Sequence, residues 1–263
     1  MKRSCIRIVL CLVFLPQHAS ALDGAVAVSS DSTSSTPQSA PAQPVNASLA
    51  DATIGDKRAD FAREPASRDA RHIADWVVDS GDNRGLPFVI IDKTDARIFV
   101  FDASGRIRGA APALLGLARG DDAVPGIGGR ELSSIRPEER TTPAGRFVAE
   151  RGISIRGKTT EDIVWVDYDS GVSLHRVITG NPRDRRLERL ATPTPADNRI
   201  SFGCINVPAA FYNNVVNPSF TGTSGIVYVL PETRPVRQVF GSYDVGERHS
   251  NADQAPRKKP ESR

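Results

Sequence analysis

The sequence predicts one mostly-β domain held between two polar flanks, on three observations. Between Leu86 and Leu230 the 3.6-residue apolar period of a helix is scarce. That span carries instead short β-branched and aromatic runs punctuated by Gly, Pro and Asp, such as Phe88-Val89-Ile90-Ile91 and Gly225-Ile226-Val227-Tyr228-Val229-Leu230. Outside it, residues 22–66 and 242–263 hold few large apolar side chains and are expected to stay disordered, as a linker and a polar tail. The domain is therefore placed at 67–241.

The elements follow in order. Ser67 is positioned to cap a helix running to about Asp79, with Ile73, Trp76 and Val77 as its buried stripe and His72 off it. Phe88–Ile91 and Arg97–Phe101 read as strands joined through 92–96 in a hairpin, and a third run follows the Ala103-Ser104-Gly105 turn to Gly116. A long segment, 117–142, contains glycines that complete no phosphate-loop pattern and are assigned to turns. Strands are expected at 147–151, 163–168 and 172–177, the last carrying His175. Residues 179–199 read as a polar, arginine-rich loop, 208–216 as a short helix with Pro208 in its first turn, and 225–230 as the last strand.

The first 21 residues resemble an export signal: Lys2, Arg3 and Arg7, an apolar core Ile8–Leu15, and a small-x-small site at Ala19-Ser20-Ala21. That apolar run is far shorter than the ~20 residues a membrane span needs. Lys and Arg number 34 and Asp and Glu 31, and the three basic residues of the signal account for the net charge of +3. The remainder balances, so charge offers no case for a nucleic-acid partner. A monomer in a periplasm or other envelope space is expected, with no transmembrane segment. Of the three cysteines, Cys5 and Cys11 would leave with the signal and strand Cys204 alone in an oxidising compartment.

A lone thiol is an inert buried hydrophobe, half of an intermolecular disulfide, or a nucleophile. Its surroundings, Arg199-Ile200-Ser201-Phe202-Gly203-Cys204-Ile205-Asn206-Val207, argue for the nucleophile. Gly203 permits close approach of backbone to a carbonyl, and the amides about Gly203 and Cys204 are candidates for an oxyanion hole. A helix start a few residues on would favour the thiolate through its dipole. His175 is the candidate base. No metal or organic cofactor is required.

Ser201-x-Gly203-Cys204-Ile205-Asn206, preceded by a strand histidine, resembles the active-site motif of the L,D-transpeptidase catalytic domain. Thr142-Pro143-Ala144-Gly145-Arg146-Phe147 resembles a second hallmark of that family, Thr-Pro-x-Gly-x-Phe, and stands in the expected order. Phe202 replaces the family's usual histidine, Arg176 its usual glycine, and the gap from His175 to Ser201 is longer than is common. The resemblance spans roughly 88–230. It implies a β-sandwich-like fold with one or two short helices and thioester chemistry on peptidoglycan stem peptides, both donor and acceptor. On it, Cys204 attacks, His175 shuttles protons, Ser201 orients the histidine and Gly203 supplies oxyanion-hole backbone. Arg176, Arg199 and Asn206 are candidate substrate contacts, and the arginines of the inserted loop (Arg183, Arg185, Arg186, Arg189) are candidate clamps for stem-peptide carboxylates. Two other readings stay open: a hydrolase of L,D-carboxypeptidase type on the same scaffold, and an inactive wall-binding protein.

Overall fold

Alternation of buried side chains along the strands sets the architecture, because successive residues of a strand point to opposite faces. The computed structural model describes residues 57–156 and 159–253. Its strands are β1 (Phe88–Asp92), β2 (Arg97–Phe101), β3 (Ile107–Pro112), β4 (Leu115–Gly116), β5 (Gly145–Arg156), β6 (Thr159–Asp167), β7 (Val172–Arg176), β8 (Arg199–Ser201), β9 (Ile205–Val207) and β10 (Gly225–Val229). Eight of them form one sheet in the order β3-β2-β1-β10-β5-β6-β7-β9, with β4 and β8 pairing separately. The β1–β10 and β7–β9 pairs are parallel and the other pairs of the large sheet antiparallel.

One face of this sheet carries Val89, Ile91, Ile98, Val100, Val227 and Val229 into the same core as Val164, Leu174, Ile205 and Val207 from the far strands. The sheet therefore curls, and its two ends meet: Leu114 N–H donates to Asn206 O at 2.8 Å and Asn206 N–H to Leu114 O at 2.9 Å. The result is a mostly-β, barrel-like fold with a few short helices. On the other face Phe88, Ile90, Phe99, Phe101, Ile226 and Tyr228 pack against helix α1 (Arg68–Ser80). β1 is buried along its whole length because both faces are covered.

Helix α1 forms as its sequence predicts. Ser67 Oγ accepts from Ala70 N–H, Gly81 closes the helix at φ +69°, and Ile73, Trp76 and Val77 are buried with Ala70 and Ala74. Truncating Ile73, which is 0% exposed, is expected to cost about 2–5 kcal/mol.

The structure moves several expected boundaries. Residues 57–66, expected as linker, are ordered: Asp60 bridges Arg106, and Phe61 packs edge-on to Phe99 and Phe101. The polar tail is likewise ordered through its first part. Ser242 and Val245 are buried, Tyr243 donates to Asp79 on α1, and helix α6 covers Val245–Asp253. One turn before it lies α5 (Val236–Phe240). The arginine-rich stretch 179–199 is a folded insert rather than an open loop, with turns at Pro182–Asp184 and Pro195–Asn198 about helix α2 (Arg186–Ala191). A helical run follows β9 through α3 (Ala209–Phe211), a π-turn Tyr212–Val216 and α4 (Asn217–Ser219). The expected export signal and most of the expected linker lie outside the described residues, as do 254–263 of the tail. Among the described residues no helix is long and apolar enough to cross a membrane.

Candidate active site

The Phe202-Gly203-Cys204 turn joins β8 to β9 and is held from below. Gly203 sits at φ +133°, and a Cβ there would stand 2.9 Å from Thr141 O, so glycine is required twice over. Ser201 Oγ donates to Cys204 O at 2.6 Å and accepts from Gly203 N–H at 3.1 Å. Thr142, fully buried, donates its hydroxyl to Gly203 O at 2.8 Å and accepts Gly116 N–H at 2.9 Å. Thr142 O in turn accepts from Lys93 Nζ at 3.0 Å. This is the physical work of the threonine in the Thr-Pro-x-Gly-x-Phe element: it ties β4 and the cysteine turn to one side chain.

Lys93 belongs to a buried ionic knot. Its ammonium bonds Asp121 Oδ1 at 2.9 Å and lies 3.8 Å from Glu232, and Arg199 bonds Glu232 at 2.6 and 3.1 Å and Lys93 O at 2.7 Å. Burial lowers the Lys93 pKa, opposed by Asp121. For Asp121 burial pulls upward, but the Thr233 hydroxyl, the Glu232 amide and the Lys93 ammonium together hold its carboxyl well below the usual range.

Strand pairing brings the cysteine and histidine together. β7 and β9 run parallel with His175 beside Asn206 and Leu174 beside Ile205, so the residue leading into β9, Cys204, lies against Ser173. Cys204 Sγ is 3.6 Å from Ser173 Oγ and 3.6 Å from Gly171 O. His175 is 2% exposed, and its Nδ1 stands 2.7 Å from Arg176 O. A carbonyl only accepts, so Nδ1 carries the proton in this contact. Half-buried Cys204 and His175 line one cavity of about 320 Å³, with Leu132, Ile178 and Phe202 as apolar wall and Asn181, Asp184, Arg186 and Asn206 as polar wall.

Other expected site residues go elsewhere. Arg176 follows His175 on the same strand and so faces away from it. Its guanidinium bonds Asp162 at 2.8 Å and Asn213 at 2.7 Å and lies over the Tyr212 ring. Arg199 is consumed by the knot. Ser201 spends its proton on the turn, and the oxygen seen orienting His175 is the carbonyl of Arg176. The Gly203 N–H is committed to Ser201, whereas among the described residues no acceptor is seen for the Cys204 N–H. The helix-dipole expectation fails as well, because β9 separates Cys204 from α3 and the dipole's influence fades within a turn. Asn206 does reach the site: its Nδ2 donates to Cys204 O at 3.1 Å.

Two further contributors emerge, Arg186 from among the insert arginines named as candidate clamps, and Arg140, which no motif marked. Arg186 is the one arginine of the insert that lines this cavity, donating to Asn206 Oδ1 at 3.0 Å. Arg140, anchored by two bonds to Ile135 O, holds its guanidinium 4.0 Å from the centre of the Phe202 ring. Phe202 thus offers Arg140 a cation–π seat. His72 is a packing residue that meets Ser242 Oγ at 2.9 Å, with its pKa lowered by burial and by Arg237. Among the described residues no group of three or more His, Cys, Asp and Glu side chains is arranged to hold a metal.

No protein-family model matches the chain, and no curated protein matches it. Solved structures that it resembles include an L,D-transpeptidase from Xylanimonas cellulosilytica, at 17% identity and a TM-score of 0.34, over 55% of this chain and 60% of that one. An L,D-transpeptidase from Mycobacterium tuberculosis gives 15% and 0.34, over 54% and 57%. The helical cell shape determining protein Pgp2 from Campylobacter jejuni gives 15% and 0.37, over 63% and 52%. The chain thus matches under two thirds of the length of each.

Proposed function

We propose that the chain is an exported cysteine acyltransferase of L,D-transpeptidase type, acting on peptidoglycan stem peptides in cell-wall cross-linking or remodelling. The observation that carries the reading is the placement of His175 on β7 and of Cys204 at the head of its parallel neighbour β9, both lining one cavity, with the cysteine turn fastened by the threonine of the second motif.

The chemistry follows from the tautomer. With Nδ1–H given to Arg176 O, His175 Nε2 is the basic nitrogen for the Cys204 proton. The thiolate attacks the carbonyl of the L-centre of a diamino acid in a stem tetrapeptide. The oxyanion is met by the Cys204 N–H. Collapse of the tetrahedral intermediate expels D-alanine, whose nitrogen takes the proton from His175, and leaves a thioester on Cys204. An amine of a second stem peptide then attacks the thioester, His175 receives its proton, and the thiol is restored. Phe202 neither titrates nor hydrogen-bonds, so every proton transfer falls to His175.

Incubation of the protein with disaccharide-tetrapeptides, followed by mass spectrometry, tests this. Cross-linked dimers that vanish in Cys204→Ala are the expected result. Shortened monomers alone would mean that water is the acceptor. No Cys204-dependent product, with no carbapenem adduct on Cys204, would overturn the enzyme reading in favour of wall binding.

A further inference from the structure

The large sheet ends at β3, which pairs there with β2 alone. Its outer edge is used at both ends by short extended segments. Asp60 N–H donates to Gly105 O and Ile107 N–H to Asp60 O, each at 2.9 Å, and Leu114 exchanges two bonds with Asn206. Between these ends the phase of the ladder is fixed, because Ala113 N–H donates to Ala96 O at 2.8 Å. Ala111 opposite Ile98 and Gly109 opposite Val100 then bond β2, which turns Ala110 N–H, Ala110 C=O and Pro112 C=O outward. Among the described residues no strand continues the sheet there.

A cleft of about 260 Å³ lies along this stretch, between Ala110, Ala111 and Pro112 and the insert's Leu190, Pro193 and Pro195. Its wall carries a buried acceptor that the fold leaves idle. Asn198 is 3% exposed and lines the cleft. Its Nδ2 donates to Ala113 O at 3.2 Å, while its Oδ1 has no partner among the described residues. Arg97 also lines the cleft, and its Nε is likewise buried without a partner, its Nη2 being given to Glu64. Buried polar atoms are satisfied in the great majority of cases, so two left open beside one cleft point to something that fills it. Asp95 borders the same cleft with its pKa raised by burial and by neighbouring Asp92, the electrostatics of a carboxylate that a cation would relieve.

We propose that this cleft docks an extended polypeptide segment of a partner protein, one with small side chains and a cationic group toward Asp95. The donors and acceptors select the class. Ala110 presents an N–H and a C=O from one residue, which a single residue of an added strand answers with its own pair. Pro112 C=O and Asn198 Oδ1 take further backbone N–H groups, and Arg97 Nε takes a carbonyl. The alanine and proline walls admit Ala, Gly or Ser and offer no deep pocket for a large apolar anchor, so the main chain supplies the affinity. Arg97 pairs with Pro112, so Asp95 lies toward the Pro112 end and places the cation there. No residue lines both this cleft and the Cys204 cavity, and docking here does not depend on acyl transfer.

The test titrates the isotope-labelled full chain with two blocked peptides, acetyl-Lys-Ala-Ala-Ala-Ala-amide and acetyl-Ala-Ala-Ala-Ala-Lys-amide, followed by amide NMR. Each peptide is also made with every second backbone amide N-methylated, in both phases. Shifts are expected at Ala110 and across 192–198, with slower hydrogen exchange at Ala110 N–H. One methylation phase should weaken binding about tenfold and the other less than about twofold, since only alternate N–H groups of an added strand face the sheet. Asp95→Asn should weaken the lysine peptides about threefold and leave an all-alanine peptide unchanged. Ala110→Pro removes the outward N–H while keeping the β2 ladder, as an edge strand permits, and should weaken every peptide about fivefold. If that variant does not fold, the methylated peptides on the unsubstituted protein decide. No shift at millimolar peptide, equal loss in both methylation phases, or shifts confined to the Cys204 cavity overturns the docking site. Concentration-dependent dimerisation that protects Ala110 without peptide would give the edge to a second copy of this chain and overturn the partner segment.

Discussion

Two clusters of arginine and carboxylate flank the cysteine turn, and they do opposite things. Beneath it, Lys93 and Asp121 are fully buried and Arg199 and Glu232 nearly so, each charge met by a partner and by backbone. Above it, Asp184 and Arg186 stay partly open and keep unused hydrogen-bonding capacity toward the cavity. Saturated and dry, the first cluster fastens the turn; the second leaves polar groups facing the cavity. Both act on the same turn, since the knot reaches Gly203 through Thr142 and the open pair reaches Cys204 through Asn206.

The hardest blow to that contrast is to break the knot. Lys93→Met leaves Asp121 and Glu232 short of a buried cation, and the expected loss is about 3–5 kcal/mol in urea unfolding. A loss below ~1 kcal/mol would make the knot no more than a surface pair. Next comes the fastener itself. Thr142→Val leaves the buried Gly116 N–H without its acceptor and Gly203 O without its hydroxyl donor, at about 1–3 kcal/mol, and should slow Cys204 chemistry more than that loss of stability explains. Unchanged product formation would uncouple knot from turn.

Acid sharpens the comparison further. Asp121 titrates below its unfolded value, so its contribution is complete above the unfolded pKa of about 3.9 and is lost as pH falls toward the folded value. Unfolding measured between about pH 5 and 3 should therefore show a steeper loss for the parent than for Asp121→Asn. Matching slopes would place the acid sensitivity elsewhere. The smallest effect is expected at Phe202→Leu, which forfeits the Arg140 contact at about 0.5–2 kcal/mol.

Local rules read well from this sequence, and long-range pairing did not. The Ser67 cap, the Ile73-Trp76-Val77 stripe and the β1–β2 hairpin depend on neighbours within a few positions. Arg199 was chosen for closeness to the motif, yet its partners Lys93 and Glu232 lie 106 and 33 residues away. Arg176 was likewise chosen for closeness to His175, whereas a residue adjacent to it on a strand points to the opposite face. Arg186 could not be separated from the other arginines of the insert, since only the folded helix α2 turns it toward Asn206. Thr142 was visible as a motif residue, while its bond to Gly203 required the turn to be seen in place.

The central claim is that the fastened turn holds a thiol which His175 makes reactive. It is tested most directly by the rate of Cys204 alkylation by iodoacetamide at pH 7, followed by peptide mass, in the parent and in His175→Ala. The account predicts a rate at least about tenfold lower in the variant at unchanged thermal stability, as removal of a general base requires. Equal rates in two equally folded proteins would contradict it.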